Sequence, residues 1–259
     1  FGIEVSDVSV DYPRMQAEKQ KVVTMLTRGV AGLLRKGGID LLEGIGRFRG
    51  LGAIEVDLAD GGTQVVQAAN AIIATGSAPM EIPGIPFDGE TVVSSREALE
   101  FNEIPNQLVV VGAGYIGLEL GSVYSRLGSS VTVLEMMDKV LPEMDEDLGV
   151  AAHEIFARQG MEFHLGAKVT GVEIEEKEAI VRYELAGSES YSTADKVLVA
   201  TGRQPFVDRL GLETVGLELD PRGFIPVDPG MRTAVDGVYA IGDVVPTPML
   251  AHVAMDEGM

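Results

Sequence analysis

The chain has 259 residues, a length that fits one large domain or two domains of medium size. A hydrophobic content of 46% with 32 glycines is typical of a folded α/β protein and excludes a disordered one. The formal net charge of −20 repels nucleic acid and anionic lipid, so we expect neither as a partner.

The absence of cysteine and the small number of histidines exclude several kinds of catalytic and metal site. The sequence has no cysteine, so it contains no disulfide, no thiolate metal ligand and no cysteine nucleophile. Its histidines, His153, His164 and His252, are far apart, and we expect no metal site. No apolar run is long enough to span a membrane and no signal peptide is recognisable.

In chain order, the first part of the sequence predicts a long helix, a strand, a β-meander and a buried strand. The helical pattern ends at Gly37-Gly38, and the alternation of apolar and polar residues predicts half-exposed meander strands around a turn at Gly61-Gly62. The predicted elements are helix 13–36, strand 39–42, meander strands 53–58 and 63–66, and a buried strand 72–76 that ends in Thr-Gly.

The most informative run begins at Leu108 and reads Leu-Val-Val-Val-Gly-Ala-Gly-Tyr-Ile-Gly-Leu-Glu. An apolar strand leads into G-x-G-x-x-G, a helical pattern follows, and a second apolar strand then ends in an acid, which completes a dinucleotide-binding fingerprint. Gly112 allows the tight turn, Gly114 lets a pyrophosphate approach the backbone, and Gly117 lets the helix pack close to the strand. The phosphates are expected at the helix N-terminus, where free N–H groups and the helix dipole favour anions.

The acid that ends the second strand predicts the choice of nicotinamide cofactor. Glu135 follows the apolar strand Ser130-Val-Thr-Val-Leu, where a carboxylate can accept both hydroxyls of an adenosine ribose. A 2′-phosphate would be repelled there, and the next residues, Met136 and Met137, offer no cation to bind it. The sequence therefore predicts NAD(H) rather than NADP(H).

A weak internal repeat predicts two domains of the same type. The run 72–79 resembles 198–205, and each follows a β-meander, which in the second copy consists of strands 179–185 and 189–194. Each meander is preceded by a helix and a strand, here 145–159 and 161–165. The second copy begins with the βαβ of the fingerprint, whereas the first has nothing at its head. We therefore expect a further βαβ with its own glycine fingerprint before Phe1, so that the chain is an internal piece of a longer protein.

The last part of the chain predicts a second acidic ligand for a cofactor. A short buried strand from Val238 to Ile241 ends in Gly242-Asp243. An aspartate at the carboxyl end of a strand can accept hydrogen bonds from a polyol such as the ribitol of FAD, or it can cap the next helix. The Thr-Gly strands that precede it favour the cofactor.

Together these motifs resemble the class I pyridine nucleotide–disulfide oxidoreductases, and among them most closely the dihydrolipoamide dehydrogenases. The resemblance extends from residue 1 to 259 and implies an α/β fold with two Rossmann-like, three-layer domains with β-meanders, the first incomplete. The runs that carry it are 60–64, 73–77, 112–122, 202–206, 223–227, 240–244 and 248–252, the last reading Pro-Met-Leu-Ala-His.

The resemblance also implies roles for individual residues. The NAD-binding domain would comprise residues 84–205, and the FAD-binding domain would be divided between 1–83 and 206–259. The NAD site would be formed by Gly112, Ala113, Gly114, Tyr115, Ile116, Gly117, Leu118, Glu119, Glu135, Val169 and Gly202, with Tyr115 as a movable cover over the flavin. For FAD, the implied ligands are Gly46, Thr75, Gly76, Ser77, Asp243 at the ribitol, and Met249, Leu250, Ala251 and His252 along the isoalloxazine.

In such enzymes a dithiol, dihydrolipoamide or a lipoyl domain, reduces a cysteine pair, the pair reduces FAD, and FAD passes a hydride to NAD⁺. The resemblance thus implies components of 2-oxo acid dehydrogenase complexes as partners and a homodimer in the full-length protein. The redox C-x-x-x-x-C pair would lie before Phe1, and the dimerisation domain with a catalytic His-Glu pair would follow Met259, so we expect the isolated chain to be inactive.

Two alternatives remain open from the sequence. The chain could belong to another flavoprotein disulfide reductase of the mercuric or glutathione reductase type, although Glu135 argues against those that use NADPH. It could also be a cysteine-free NAD-binding module without redox chemistry.

The sequence departs locally from the family pattern at Val253 and Met255, where many members of the family carry Lys and Glu.

Overall fold

The computed structural model describes residues 8–176 and 178–259. Its helices are α1 Tyr12–Lys36, α2 Ser95–Ala98, α3 Tyr115–Leu127, α4 Glu146–Arg158 and α5 Ala251–Glu257. Its strands are β1 Gly44–Gly50, β2 Ala53–Leu58, β3 Thr63–Gln67, β4 Ala71–Ile73, β5 Ser77–Pro79, β6 Val92–Val93, β7 Gln107–Val111, β8 Ser130–Glu135, β9 Glu162–Leu165, β10 Lys168–Glu175, β11 Glu178–Leu185, β12 Ser188–Ala194, β13 Lys196–Val199, β14 Arg203–Pro205 and β15 Val238–Ala240. Short 3₁₀ turns lie at Leu212–Val215 and Gly242–Val244.

The chain divides into two compact units. The central unit contains Pro79–Gly202 and the described residues up to Met25, and the split unit contains Leu26–Ala78 and Arg203–Met259. The start of α1 belongs to the central unit. The domains expected at 1–83, 84–205 and 206–259 stay predictions. Which cofactor each unit holds stays a prediction.

The central unit is built on a parallel sheet with the strand order β6-β13-β7-β8-β9. Its inner strands β13, β7 and β8 are largely apolar and buried because both faces of the sheet are covered. Alternate residues of β7 point in opposite directions: Leu108 and Val110 pack in a cluster with α3, whereas Val109 and Val111 pack in a cluster with the meander β10-β11-β12. Helix, parallel sheet and meander thus form three layers, which confirms the predicted α/β fold class.

The start of α1 is fastened to the central unit by a chain of hydroxyl groups. Tyr12 and Tyr124 are both buried, and their hydroxyl oxygens are 3.2 Å apart. The Tyr124 hydroxyl donates to the carbonyl of Ala98 at 2.5 Å, and Lys19, two turns along α1, donates to the carbonyl of Leu99 at 2.5 Å. These contacts at the end of α2 are the physical reason why the start of α1 belongs with residues 79–202.

The split unit holds a second meander, β1-β2-β3, and the parallel pair β4-β15. Its core contains Phe48 of β1, Ile73 of β4, Val238 and Ala240 of β15, and Ile225. The predicted strand 39–42 is wrong: those residues form no strand, because no strand of the described residues pairs with them. Strands β1 and β10, which were not predicted, complete the two meanders.

Two absences concern only residues 8–176 and 178–259. None of the helices in this part is both long and apolar enough to cross a membrane. No group of three or more histidine, aspartate or glutamate side chains is arranged there as a metal site.

The hydroxyl chain at Tyr124 yields a prediction about stability. Removing one hydroxyl leaves the buried Ala98 carbonyl without its donor, so Tyr124→Phe should lower the free energy of unfolding by about 1–2 kcal/mol at pH 7. Tyr191→Phe is the matched control, because Tyr191 on β12 is 66% exposed. Urea denaturation of the variants checks both values, and equal stability of wild type and Tyr124→Phe would contradict the role of the bond.

The same phenol gives a pH dependence of known sign. Burial raises the pKa of Tyr124 well above its usual value. Above about pH 10 the unfolded chain releases this proton while the folded chain keeps it, so the stabilisation is complete below that pH and declines above it. The stability difference between wild type and Tyr124→Phe should therefore shrink above about pH 10.

Candidate dinucleotide and flavin sites

The turn between β7 and α3 leaves no room for side chains at two of its three glycines. Gly112 has φ +104°, and a Cβ there would lie 2.6 Å from the carbonyl oxygen of Ala200. At Gly117 a Cβ would lie 2.2 Å from the carbonyl oxygen of Gly112. At Gly114, by contrast, a Cβ would meet nothing within 4 Å. Two glycines are therefore required for packing, and the third keeps an open surface free.

That open surface lies in front of the N-terminus of α3. Gly114 is the N-cap residue with φ −75° and ψ 177°, and no side chain caps the helix. The first turn of α3 contains no acidic residue. The N–H groups of this turn and the positive end of the helix dipole are therefore available to an anion. A Cβ at position 114 would occupy that space, so the residues present fit a dinucleotide pyrophosphate.

The remaining residues of the fingerprint divide by exposure. Ala113 and Leu118 are buried in the core cluster beside the sheet, and Ile116 is half-buried. Tyr115 is 44% exposed at the first position of α3, and Glu119, one turn later, is also exposed. Exposure thus leaves Tyr115 free to contact a ligand, whereas Ala113 and Leu118 shape the turn from within.

Glu135 at the end of β8 lies beside this turn and is 7% exposed. One carboxylate oxygen accepts the N–H of Ala113 at 2.7 Å, and the other accepts the N–H of Met137 at 2.7 Å. Each carboxylate oxygen can accept a further hydrogen bond, so hydroxyl groups of a ribose can still bind. Met136 and Met137 are 64% and 45% exposed and place an apolar surface next to the acid.

Of the two other predicted NAD residues, Gly202 lies near the glycine turn and Val169 lies on β10. Gly202 follows the segment that touches Gly112, because a Cβ at 112 would also lie 3.2 Å from the Cα of Thr201. Val169 on β10 is half-buried and packs against the apolar cluster under the sheet. Gly202 therefore follows directly after the residue that lies against the glycine turn, and Val169 lies at the edge of the apolar cluster.

In the split unit, two predicted flavin residues from distant parts of the chain meet. The hydroxyl of Ser77 donates to a carboxylate oxygen of Asp243 at 2.6 Å. The hydroxyl of Thr75 donates to the carbonyl of Phe206 at 2.6 Å, and Gly76, with φ +74°, accepts the N–H of Phe206 at 2.8 Å. The Thr-Gly-Ser run after β4 and the Gly-Asp turn after β15 thus form one polar cluster, whose acceptors suit a polyol.

Sequence reasoning missed two residues that hold this cluster. Arg203 donates from Nε to the hydroxyl oxygen of Ser77 and from Nη2 to its carbonyl, both at 2.7 Å. Glu257 accepts the N–H of Gly242 at 2.6 Å and the hydroxyl of Thr247 at 2.7 Å. Arg203 could have been found from its place directly after the second Thr-Gly, whereas nothing in the spacing points to Glu257.

The other predicted flavin residues lie elsewhere in the split unit. Gly46 is paired with Val56 in the middle of the meander. Leu250 is the N-cap of α5, and Ala251 and His252 are exposed, whereas Met249 is half-buried. In the part of the chain that the structure describes, no hydrogen bond joins these residues to Ser77 or Asp243, and their contact with a flavin stays a prediction.

Comparison with known proteins identifies the family. The family model described as pyridine nucleotide-disulphide oxidoreductase matches residues 3–258. The chain belongs to this family. The predicted family, whose description names a pyridine nucleotide, is therefore confirmed.

Individual relatives agree in sequence and in fold. A leghemoglobin reductase of Vigna unguiculata is 44% identical over 100% of this chain and 50% of the relative. A mitochondrial dihydrolipoyl dehydrogenase of Pisum sativum is 43% identical over 100% of this chain and 52% of the relative. The crystal structure of LpdA from Mycobacterium tuberculosis matches with a TM-score of 0.88 and 29% identity over 97% of this chain and 55% of that one. The chain spans about half the length of the relatives it matches.

The glycine turn predicts opposite effects for two substitutions of the same kind. Gly117→Ala should lower the free energy of unfolding by about 1–3 kcal/mol or more, because its Cβ collides with backbone that cannot move away. Gly114→Ala should leave stability within about 0.5 kcal/mol, because its Cβ enters open space. It should weaken NADH binding about tenfold or more by filling the pyrophosphate position. Denaturation and NADH titration measure both properties, and a reversed pattern would contradict the site.

Proposed function

We propose that this chain supplies the NAD(H) site and part of the FAD site of a dihydrolipoyl dehydrogenase-type flavoprotein. The observation that carries the proposal is the glycine turn at Gly112–Gly117, open at Gly114 and joined to the carboxylate of Glu135. The names of the relatives support the dihydrolipoyl substrate class. A flavin bound at the Ser77–Asp243 cluster would supply two-electron chemistry between a dithiol and a nicotinamide.

Each residue then has a defined task in binding. The N–H groups at the start of α3 hold the pyrophosphate, and Glu135 accepts the adenosine ribose hydroxyls. Tyr115, exposed at the first position of α3, contacts the bound dinucleotide. Asp243, oriented by Ser77, accepts hydrogen bonds from the ribitol, and Met249 to His252 line the isoalloxazine. Val169 and Gly202 complete the NAD site, while Gly46, Thr75 and Gly76 complete the flavin site.

The same proposal extends to partners and location. The dithiol substrate is dihydrolipoamide, free or on a lipoyl domain, and the partners are components of 2-oxo acid dehydrogenase complexes. The full-length protein is a homodimer that works in the cytoplasm, or in the mitochondrial matrix of a eukaryote, as the relatives named mitochondrial suggest.

The sequence of the full gene distinguishes this function from two others. A C-x-x-x-x-C run before the present N-terminus and a histidine–glutamate pair after the present C-terminus support the disulfide reductase. Their absence supports an NAD-binding module without redox chemistry. A mercuric or glutathione reductase is disfavoured where it uses NADPH, because Glu135 is an anion without a cation beside it in sequence.

The nicotinamide preference is a direct test of the proposed site. NADH should bind to the chain about tenfold or more tightly than NADPH, because a 2′-phosphate would meet the carboxylate of Glu135. Glu135→Ala should weaken NADH binding and reduce the discrimination by ~1–3 kcal/mol, whereas Glu154→Ala, an exposed acid on α4, should change neither. Fluorescence titration measures these affinities, and equal or tighter binding of NADPH would reject the assignment.

The catalytic competence of the chain by itself is a second test. With no cysteine, the polypeptide cannot exchange with a dithiol or form a thiolate next to a flavin. We expect no dihydrolipoamide:NAD⁺ reductase activity from the pure chain, even with added FAD. A full-length dihydrolipoyl dehydrogenase assayed alongside is the positive control. Flavin-dependent turnover of dihydrolipoamide by the pure chain would contradict the requirement for a cysteine pair.

A further inference from the structure

The carboxylate of Glu135 is hydrogen-bonded to the backbone of the protein itself. Both of its oxygens accept an N–H at 2.7 Å, one from Ala113 inside the glycine turn and one from Met137 after the strand. The side chain is almost completely buried. A side chain whose only task is to meet a ribose would need no contact with the turn that meets the phosphates.

The peptide groups on both sides of the same turn residue are held by one segment of chain. The N–H of Ala113 binds Glu135, and the carbonyl of Ala113 accepts the N–H of Leu141 at 3.0 Å. Leu141 has φ +48°, a left-handed conformation that is unfavourable for leucine and persists only where its surroundings determine it. The preceding residue of the turn is held by the same segment, because the N–H of Gly112 donates to the carbonyl of Leu134 at 2.9 Å. The segment 134–141 therefore determines the shape of the turn at residues 112 and 113.

We propose that Glu135 is a positioning residue for the glycine turn in addition to its contact with the adenosine ribose. This inference rests on the proposed NAD function. The carboxylate fixes the peptide plane between Gly112 and Ala113, and the N–H of Leu141 fixes the next plane, between Ala113 and Gly114, which leads to the N–H groups that meet the phosphates. One buried anion thus couples recognition of the ribose to the geometry of the pyrophosphate site. The two hydrogen bonds from backbone N–H groups also prevent the carboxylate from rotating away from a 2′-phosphate.

The substitution Glu135→Gln tests the coupling with little change of volume. A glutamine offers one acceptor oxygen, so one of the two N–H groups, of Ala113 or Met137, would face an NH₂ donor. Two ligands separate the two roles. NADH carries the adenosine ribose, whereas reduced nicotinamide mononucleotide carries a phosphate and the nicotinamide but no adenosine. The matched control is Glu154→Gln, which removes an exposed acid on α4 of the same unit.

Binding titrations should show that Glu135→Gln weakens both ligands, each by about tenfold, while Glu154→Gln changes neither. A loss confined to NADH would overturn the inference and leave Glu135 as a ribose ligand only. Unchanged binding of both ligands would also overturn it. If the wild-type chain binds neither ligand, the proposed function itself is wrong and the inference falls with it.

A second measurement does not depend on the folding of the variant. In the wild-type chain without ligand, the amide hydrogens of Ala113 and Met137 should exchange slowly, because both are bonded to the buried carboxylate. Their exchange, followed residue by residue by NMR, should be slowed about a hundredfold or more relative to an unprotected amide. Exchange of the Ala113 amide at the rate of an exposed amide would overturn the positioning role.

Discussion

The structure of the central unit depends on a close approach of backbone to backbone at the glycine turn. A Cβ at Gly117 would lie 2.2 Å from the carbonyl oxygen of Gly112, and one at Gly112 would lie 2.6 Å from that of Ala200. Since neither contact leaves room for a side chain, α3 can begin directly against the end of β7, with β13 on the other side. This proximity aims the N-terminus of α3 at the open surface of Gly114. The steric constraint therefore creates the anion site, and the segment that begins with the acid of β8 holds the turn in that shape.

The net charge of the whole chain is unfavourable for binding an anionic dinucleotide at the glycine turn. The net charge of −20 repels an anionic dinucleotide at long range. Such repulsion is screened beyond about 8–10 Å at physiological salt, whereas hydrogen bonds from backbone N–H groups act at contact. Affinity must therefore come from donors placed within a few ångströms of the phosphates. This is consistent with a first turn of α3 that contains no acid, and with a Glu135 carboxylate that accepts hydrogen bonds from two N–H groups of its own chain.

The sequence predicted those elements whose formation depends on local pattern. Strands β7 and β8 are apolar runs buried on both faces, and the structure places them within one residue of the prediction. The strand expected at 39–42 failed because an apolar run becomes a strand only next to a partner, and none is found among the described residues. Strand β1 was missed because glycines interrupt its pattern, although pairing with β2 stabilises it. Local pattern thus predicts a strand reliably only where its partner is also certain.

Contacts between distant parts of the chain were predictable only as far as motifs implied them. Ser77 and Asp243 were each assigned to a flavin, but their hydrogen bond joins residues 166 positions apart, and no spacing rule predicts it. Arg203 also binds Ser77, a contact that the motifs did not predict. Because its Nε–H occupies the hydroxyl oxygen of Ser77, the proton of that hydroxyl is directed at Asp243. One oxygen of Asp243 is thereby fixed, and the other is left to accept from a ligand.

The two acids that the motifs single out are therefore prepared in different ways. Glu135 is held through both oxygens by backbone amides, which cannot be changed by substituting a neighbouring side chain. Asp243 is held through one oxygen by a serine hydroxyl, which in turn is oriented by an arginine. The orientation of Asp243 thus depends on two other side chains, whereas that of Glu135 depends on the path of the chain around the glycine turn. In both cases hydrogen bonds within the protein restrict the rotation of an acid, and such restriction lowers the entropic cost of binding a ligand.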